Sequence, residues 1–201
     1  MRIILTGTSS GIGKELTNQL SNDHDVVCIT RNDLELSNID AVNNYSMPTV
    51  DMLINCAGTD QGGKIEFAKQ ELDSVVNILT TNLLSPIVLS HKALKSNSAC
   101  KIVNITSTNN KQYWPNNLAY SLSKKSLSEF GRMLQVDYPA INYLEIQLGL
   151  TKTSFNQNRY IGHEDRFDDV YRNTHLTPGY AVNKILSVLF DNAIKFIEVS
   201  P

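Results

Sequence analysis

The feature that most constrains this chain is a glycine-rich turn set between a short apolar strand and an amphipathic helix at its start. Arg2–Thr6 (RIILT) is apolar and rich in β-branched residues, and Thr6-Gly7-Thr8-Ser9-Ser10-Gly11-Ile12-Gly13 follows at once. Ile12, Leu16 and Leu20 then share one helical stripe. Gly7 is placed to take the tight turn out of the strand. Gly11 lets the backbone approach a pyrophosphate where a Cβ would intervene, and Gly13 lets the helix lie close on the sheet. The helix N-terminus, including the Ile12 amide, offers N–H groups and a partial positive charge to an anion, with the Ser9 and Ser10 hydroxyls as further donors. A glycine-rich turn by itself is often only structural; the strand before it and the helix after it make it a candidate phosphate site.

The alternation begun there continues along the chain. Asp25–Thr30, Met52–Cys56, Lys101–Thr106, Tyr143–Leu148 and Ile194–Val199 read as further strands, most of them apolar on both faces. Helical stripes lie between them: Leu72, Val75, Val76 and Leu79, then Ile185, Leu186 and Leu189 after a Thr177-Pro178 helix start. Such alternation predicts an α/β fold, a doubly wound parallel sheet in a Rossmann-type three-layer sandwich. With 201 residues, 41% of them hydrophobic, residues 1–201 are expected to form a single domain.

Composition narrows the function. A net charge of −2 offers no basic footprint for nucleic acid or an anionic membrane. No unbroken apolar run reaches the roughly 18–20 residues of a membrane span, and the N-terminal run is too short for a signal peptide. The four histidines are isolated and the three cysteines, Cys28, Cys56 and Cys100, lack ligand spacing, so no metal site is expected. These features together point to a cytoplasmic chain.

The T-G-x-x-x-G-x-G spacing resembles the cofactor fingerprint of the short-chain dehydrogenase/reductase family. It differs from the T-G-x-x-G-x-x-G of that superfamily's extended branch, which includes epimerases and dehydratases. The resemblance runs through nearly the whole chain. It implies a dinucleotide lying across the carboxyl ends of the strands. The second strand ends in Thr30 with Arg31 next, where an acid would bond the ribose hydroxyls and an arginine accommodates a 2′-phosphate. NADP(H) is therefore expected over NAD(H), with Asp33 the alternative ribose partner. Asp33-Leu-Glu-Leu-Ser-Asn looks like the family segment flanking the adenine, with Glu35 and Leu36 as contacts. Only 19 residues separate Arg31 from Asp51, so the third strand and its preceding helix are expected to be shortened.

The resemblance also supplies a catalytic set. Asn55-Cys56-Ala57-Gly58 is similar to the family's Asn-Asn-Ala-Gly beside the cofactor, with Cys56 in place of an asparagine. Asn82 matches a helix asparagine that supports a proton-relay water. Ser107 closes a strand, and Tyr120 with Lys124 forms Tyr-x-x-x-Lys. That last motif alone is weak, but Ser107 lies 13 residues before Tyr120 and Asn82 lies 25 before Ser107. The spacing has a chemical reason. A carbonyl that gains hydride needs a proton at its oxygen, and an ordinary phenol, with a pKa of about 10, releases its proton too reluctantly near neutrality. A lysine one helical turn on stabilises the phenolate, and a serine hydroxyl can bond the substrate oxygen. Tyr120 is thus the expected general acid/base, with Tyr120 and Lys124 also beside the cofactor. Leu148-Gly149-Leu-Thr151-Lys-Thr153 resembles the family's Pro-Gly-x-x-x-Thr run, with Gly149, Thr151 and Thr153 at the nicotinamide and Leu148 where proline usually stands.

The polar segment Ser154–Thr177 carries Arg159, His163, Arg166 and Arg172 and breaks the alternation. It is either a solvated excursion or a lid over the substrate, which the family places here. Tyr113 and Trp114 are either pocket or loop packing. The expected function is NADP(H)-dependent hydride transfer with a small carbonyl or alcohol substrate, and the resemblance implies a homodimer, or else a homotetramer, joined through the helices of Asn82 and Tyr120. A catalytically idle NADP(H)-sensing or scaffold protein on the same fold is the alternative. An epimerase-like enzyme is disfavoured by the glycine spacing.

Overall fold

In the computed structural model of the protein, the residues described are 1–61, 65–111, 114–159, 171 and 175–201. Six strands form one parallel sheet in the order β2-β1-β3-β4-β5-β6, where β1 is Arg2–Thr6, β2 Asp25–Ile29, β3 Met52–Asn55, β4 Lys101–Ser107, β5 Tyr143–Leu148 and β6 Phe196–Val199. The chain builds outward from β1 to β2, then returns to the other side of β1 to lay down β3. The strand order reverses there, and a crevice opens at the carboxyl ends of β1 and β3.

Both faces of the strands are apolar because both are covered. Ile3, Leu5, Met52, Ile54, Val103, Ile105, Leu144 and Ile146 point to one face, under helices α1 (Gly11–Leu20) and α7 (Pro178–Leu189). Ile4, Leu53, Ile102 and Tyr143 point to the other, under α2 (Ile39–Asn44), α4 (Ser85–Ser96) and α5 (Leu118–Asp137). Helix α7 starts as its sequence predicts, with Thr177 accepting from the Tyr180 N–H at 3.3 Å and Pro178 in the first turn.

Between β2 and β3 the expected shortening of the third strand is complete. Residues 30–38 form turns with no strand, and one helix of six residues, α2, precedes the strand of Asn55. Leu34 and Leu36 seal this region by joining Ile29 and Val42 in the core. The stripe expected at Leu72, Val75, Val76 and Leu79 is displaced. In α3 (Leu72–Leu79) Val75 and Ile78 are buried, while Leu72 and Val76 face outward. Helices α3 and α4 join through a π-helical turn, Thr80–Leu84, into one run, Leu72–Ser96, long and apolar enough by composition to cross a membrane. Its burial pattern is that of a core helix on one side, since Val75, Ile78, Leu89 and Ala93 pack into the interior.

Helix α5 is mounted on the sheet at very close range. A Cβ at Gly131 would lie 1.8 Å from the hydroxyl oxygen of Tyr143, a fully buried β5 residue whose hydroxyl also accepts from Asn104. Only glycine admits that approach. Gly131→Ala should therefore destabilise the protein by about 3 kcal/mol or more, through overpacking against a side chain that cannot withdraw. Urea denaturation measures this, and a loss under about 1 kcal/mol would show that Tyr143 yields.

Candidate active site

The crevice is a cavity of about 870 Å³ running along the carboxyl edge of the sheet. At one end lies the glycine turn. Gly7 and Gly11 have φ of +75° and +55°, the left-handed region that glycine enters without strain. A Cβ at Gly13 would sit 2.2 Å from the Gly7 carbonyl oxygen, so α1 can start beneath the turn only with glycine there. The Thr6 hydroxyl accepts from the Cys56 and Ala57 amides at 3.1 and 3.0 Å, tying the turn after β3 to the turn after β1. Ser10 stands at the N-cap of α1 without a side-chain cap bond.

Of the residues expected around a cofactor, Gly7, Ser9, Ser10, Gly11, Ile12, Gly13, Arg31, Glu35, Leu36, Ala57, Gly58, Tyr120, Lys124, Gly149, Thr151 and Thr153 all line this cavity. Asn55 does not. Its amide is buried behind the sheet edge, donating to Asn104 at 2.9 Å and Ser90 at 3.3 Å, because the last residue of β3 points into the core layer. Arg31 lies at the mouth, largely exposed, in an i,i+4 pair with Glu35 at 3.5 Å. Asp33 has turned back: its carboxylate accepts from the Thr30 amide at 2.8 Å and the Thr30 hydroxyl at 2.5 Å. Those two bonds hold it below the usual carboxylate range and close the tight turn that replaces the missing strand.

At the other end the catalytic candidates converge. Ser107 and Tyr120 line the same wall, and the serine hydroxyl, which accepts from the Asn109 amide at 3.2 Å, pulls the pKa of the phenol down. Asn82 sits one layer behind, fully buried in the π-helical turn. It accepts from the Thr59 amide and donates to the Thr59 carbonyl, both at 2.8 Å, and donates to Ser123 at 3.1 Å. The inserted residue of a π turn rotates such a side chain inward. Its amide therefore braces the loop after Gly58, and it does not itself line the cavity.

Lys124 departs from the simplest expectation. Its ammonium donates to the Ile105 carbonyl at 3.0 Å, and burial pushes its pKa down to about 8, against an opposing pull from Cys56. The same burial pushes the Cys56 thiol up to about 11. The groups that act on Tyr120 are different. Burial raises the phenol above its ordinary value, Arg159 and Ser107 pull it back, and Asp60 opposes them.

Arg159 and Asp60 are the site residues that sequence reasoning missed. Arg159 ends the short helix α6 (Ser154–Arg159), the described start of the expected lid; residues 160–170 and 172–174, with His163, Arg166 and Arg172, lie outside the described residues, as does Tyr113. Its Nε is ion-paired with Asp60 in the loop after β3, and both side chains are buried. Trp114 is half exposed at the cavity wall. Among the described residues no group of His, Cys, Asp or Glu could hold a metal ion.

A dinucleotide-sized crevice at the point of strand reversal, with a phosphate turn at one end and a Ser–Tyr pair at the other, defines a nicotinamide-type oxidoreductase. The short chain dehydrogenase family model matches residues 39–163, and the chain belongs to that family. It is 25% identical over 224 residues to an NADP-dependent 3-hydroxy acid dehydrogenase of Schizosaccharomyces pombe, covering 93% of this chain and 86% of the relative. Among solved structures, the closed form of serine dehydrogenase complexed with NADP+ superposes with a TM-score of 0.84 at 20% identity, over 100% of this chain and 95% of that one. A 4-hydroxyisoleucine dehydrogenase complexed with NADH gives 0.85 at 21% identity, over 99% and 96%. The protein is thus an oxidoreductase acting on alcohol or carbonyl groups.

The depressed pKa of Lys124 carries a stability prediction. Its charged form is fully penalised below pH 8, and the penalty fades as pH rises from about 8 toward the ordinary value of 10.5. Lys124→Met should therefore abolish turnover yet stabilise the fold at neutral pH, on the order of 3 kcal/mol. In thermal unfolding the gap should close toward alkaline pH; a gap independent of pH would sink the assignment.

Proposed function

We propose that the protein is an NADP(H)-dependent dehydrogenase or reductase of a small secondary alcohol or its carbonyl, with Tyr120 as general acid/base. The observation that carries this reading is the placement of Ser107 and Tyr120 on one wall of the cavity that the glycine turn also lines. When bound, the cofactor supplies or accepts the hydride at its nicotinamide ring, held between the glycine turn and the Gly149–Thr153 segment. Ser107 bonds the substrate oxygen and holds it at the phenol, where Tyr120 gives up or takes the proton. Lys124, which lines the same cleft and is held at the Ile105 carbonyl, would bond the ribose of the cofactor, and Asn82 braces the loop after Gly58 beside it. A mere sensor has no need of a serine and a phenol so paired, which argues against the idle alternative.

The preference for NADP(H) rests on Arg31 at the mouth and on Asp33, whose carboxylate is committed to Thr30. A 2′-phosphate would compete with Glu35 for the guanidinium. Small 3-hydroxy acids, the class named for the S. pombe relative, are the first substrates to screen. A homodimer is supported by an apolar surface on adjacent helices, with Leu72, Val76 and Leu84 on the α3–α4 run and Leu118, Leu122, Met133 and Val136 on α5 all exposed.

Fluorescence titration should show NADPH binding more tightly than NADH, with Arg31→Ala weakening NADPH by about 10- to 100-fold and sparing NADH. Equal affinities in the unmodified protein would remove the cofactor preference. Tyr120→Phe should abolish turnover in a hydroxy-acid and carbonyl screen while NADPH binding stays within about twofold, and retained turnover would end the role given to Tyr120.

A further inference from the structure

The guanidinium of Arg159 lies over the catalytic ring. Its central carbon is 4.8 Å from the Tyr120 centroid and 5.3 Å from that of Phe155, and its charge pulls the phenol's pKa down. Asp60 holds it there through Nε, with both side chains withdrawn from solvent at 10% and 2% exposure. Among the described residues, the remaining surroundings of Tyr120 carry little charge. Val75, Ile78 and Leu79 of α3 and Phe155 of α6 are apolar, Ser107 of β4 is neutral, and Cys56 is a protonated thiol. Lys124 on the same helix donates to the Ile105 carbonyl at 3.0 Å.

From this geometry we propose that Arg159, clamped by Asp60 over the Tyr120 ring, is the positioning residue whose charge favours the phenolate as Tyr120 exchanges its proton. The inference rests on Tyr120 being the proton-transfer residue. Its physical basis is the position of the charge. A guanidinium in contact with a buried phenol favours the phenolate strongly, because little water intervenes. Asp60 opposes that effect from farther away and in return fixes the fork, since a buried arginine without a partner would not stay in place. Arg159 arrives on α6, which lines the cavity beside Tyr120.

The test is the ultraviolet absorbance of tyrosinate across a pH titration of the NADP+-saturated protein. Subtracting the Tyr120→Phe trace isolates Tyr120 from the other tyrosines. Arg159→Gln should move the Tyr120 midpoint up by about one pH unit or more, and Arg159→Lys should recover part of the shift. Arg159→Gln also removes the ion pair of the buried Asp60 carboxylate, so the double variant Arg159→Gln/Asp60→Asn separates the causes and guards against misfolding. Its midpoint should still lie above that of the unmodified protein, by less than in the single variant. Return to the original midpoint would overturn the proposal, because the shift would then come from uncovering Asp60. An unmoved midpoint in Arg159→Gln would overturn it too. So would a KM raised for 3-hydroxybutyrate and unchanged for its methyl ester at an unmoved midpoint, which makes Arg159 an anchor for a substrate carboxylate. Turnover surviving in Tyr120→Phe would remove the underlying reading as well, whereas an unmoved midpoint removes only the role of Arg159.

Discussion

The Thr6 hydroxyl is the contact on which the site depends. It receives two main-chain amides from the turn after β3 and so locks together the two strand ends between which the crevice opens. Gly7, directly after it, is pressed so close to Ala57 that a Cβ would lie 2.7 Å from the Ala57 Cα. Two separate crossovers are thereby brought to one point, and the phosphate turn and the loop leading to Asp60 share a single anchor. On the opposite wall, α5 is seated by the Gly131–Tyr143 contact, which sets how far Tyr120 and Lys124 stand from the sheet. The distance across the cleft is therefore fixed by two close approaches that do not depend on any ligand.

What could be read from the sequence follows from how local each cause is. The glycine turn was legible because positive φ and close approach leave no alternative residue, and Gly7, Gly11 and Gly13 appear in one short run. The strands were legible because both their faces are buried. The outward turn of Leu72 and Val76 was not, since periodicity locates an apolar stripe without saying whether the fold or a second surface covers it. Asn55 has the residue type and the place of a cofactor contact, but the pleat at the end of β3 directs it to Asn104 instead.

The Arg159–Asp60 pair was out of reach for a different reason. Its members are 99 residues apart, and neither belongs to a motif. Arg159 was visible only as one of several arginines in a polar stretch, and Asp60 carried no signal. The consequence reaches the chemistry. The Tyr-x-x-x-Lys spacing points to Lys124 as the cation for the phenol, whereas Arg159 is the cation in contact with it here. A helical spacing guarantees a shared face, but it does not decide where a long flexible side chain ends.

The turn that replaces the third strand also changes how the sheet ends. With no strand beyond it among the described residues, β2 presents an edge row of main-chain amides and carbonyls, the kind of border along which chains add to one another. Here that border is kept to five residues, opens on the Asp25–Arg2 ion pair and closes on the Thr30–Asp33 turn. Charge at one end and a tight bend at the other leave little straight backbone for an incoming strand. The economy that shortened the fold thus carries its own guard against self-association along that edge.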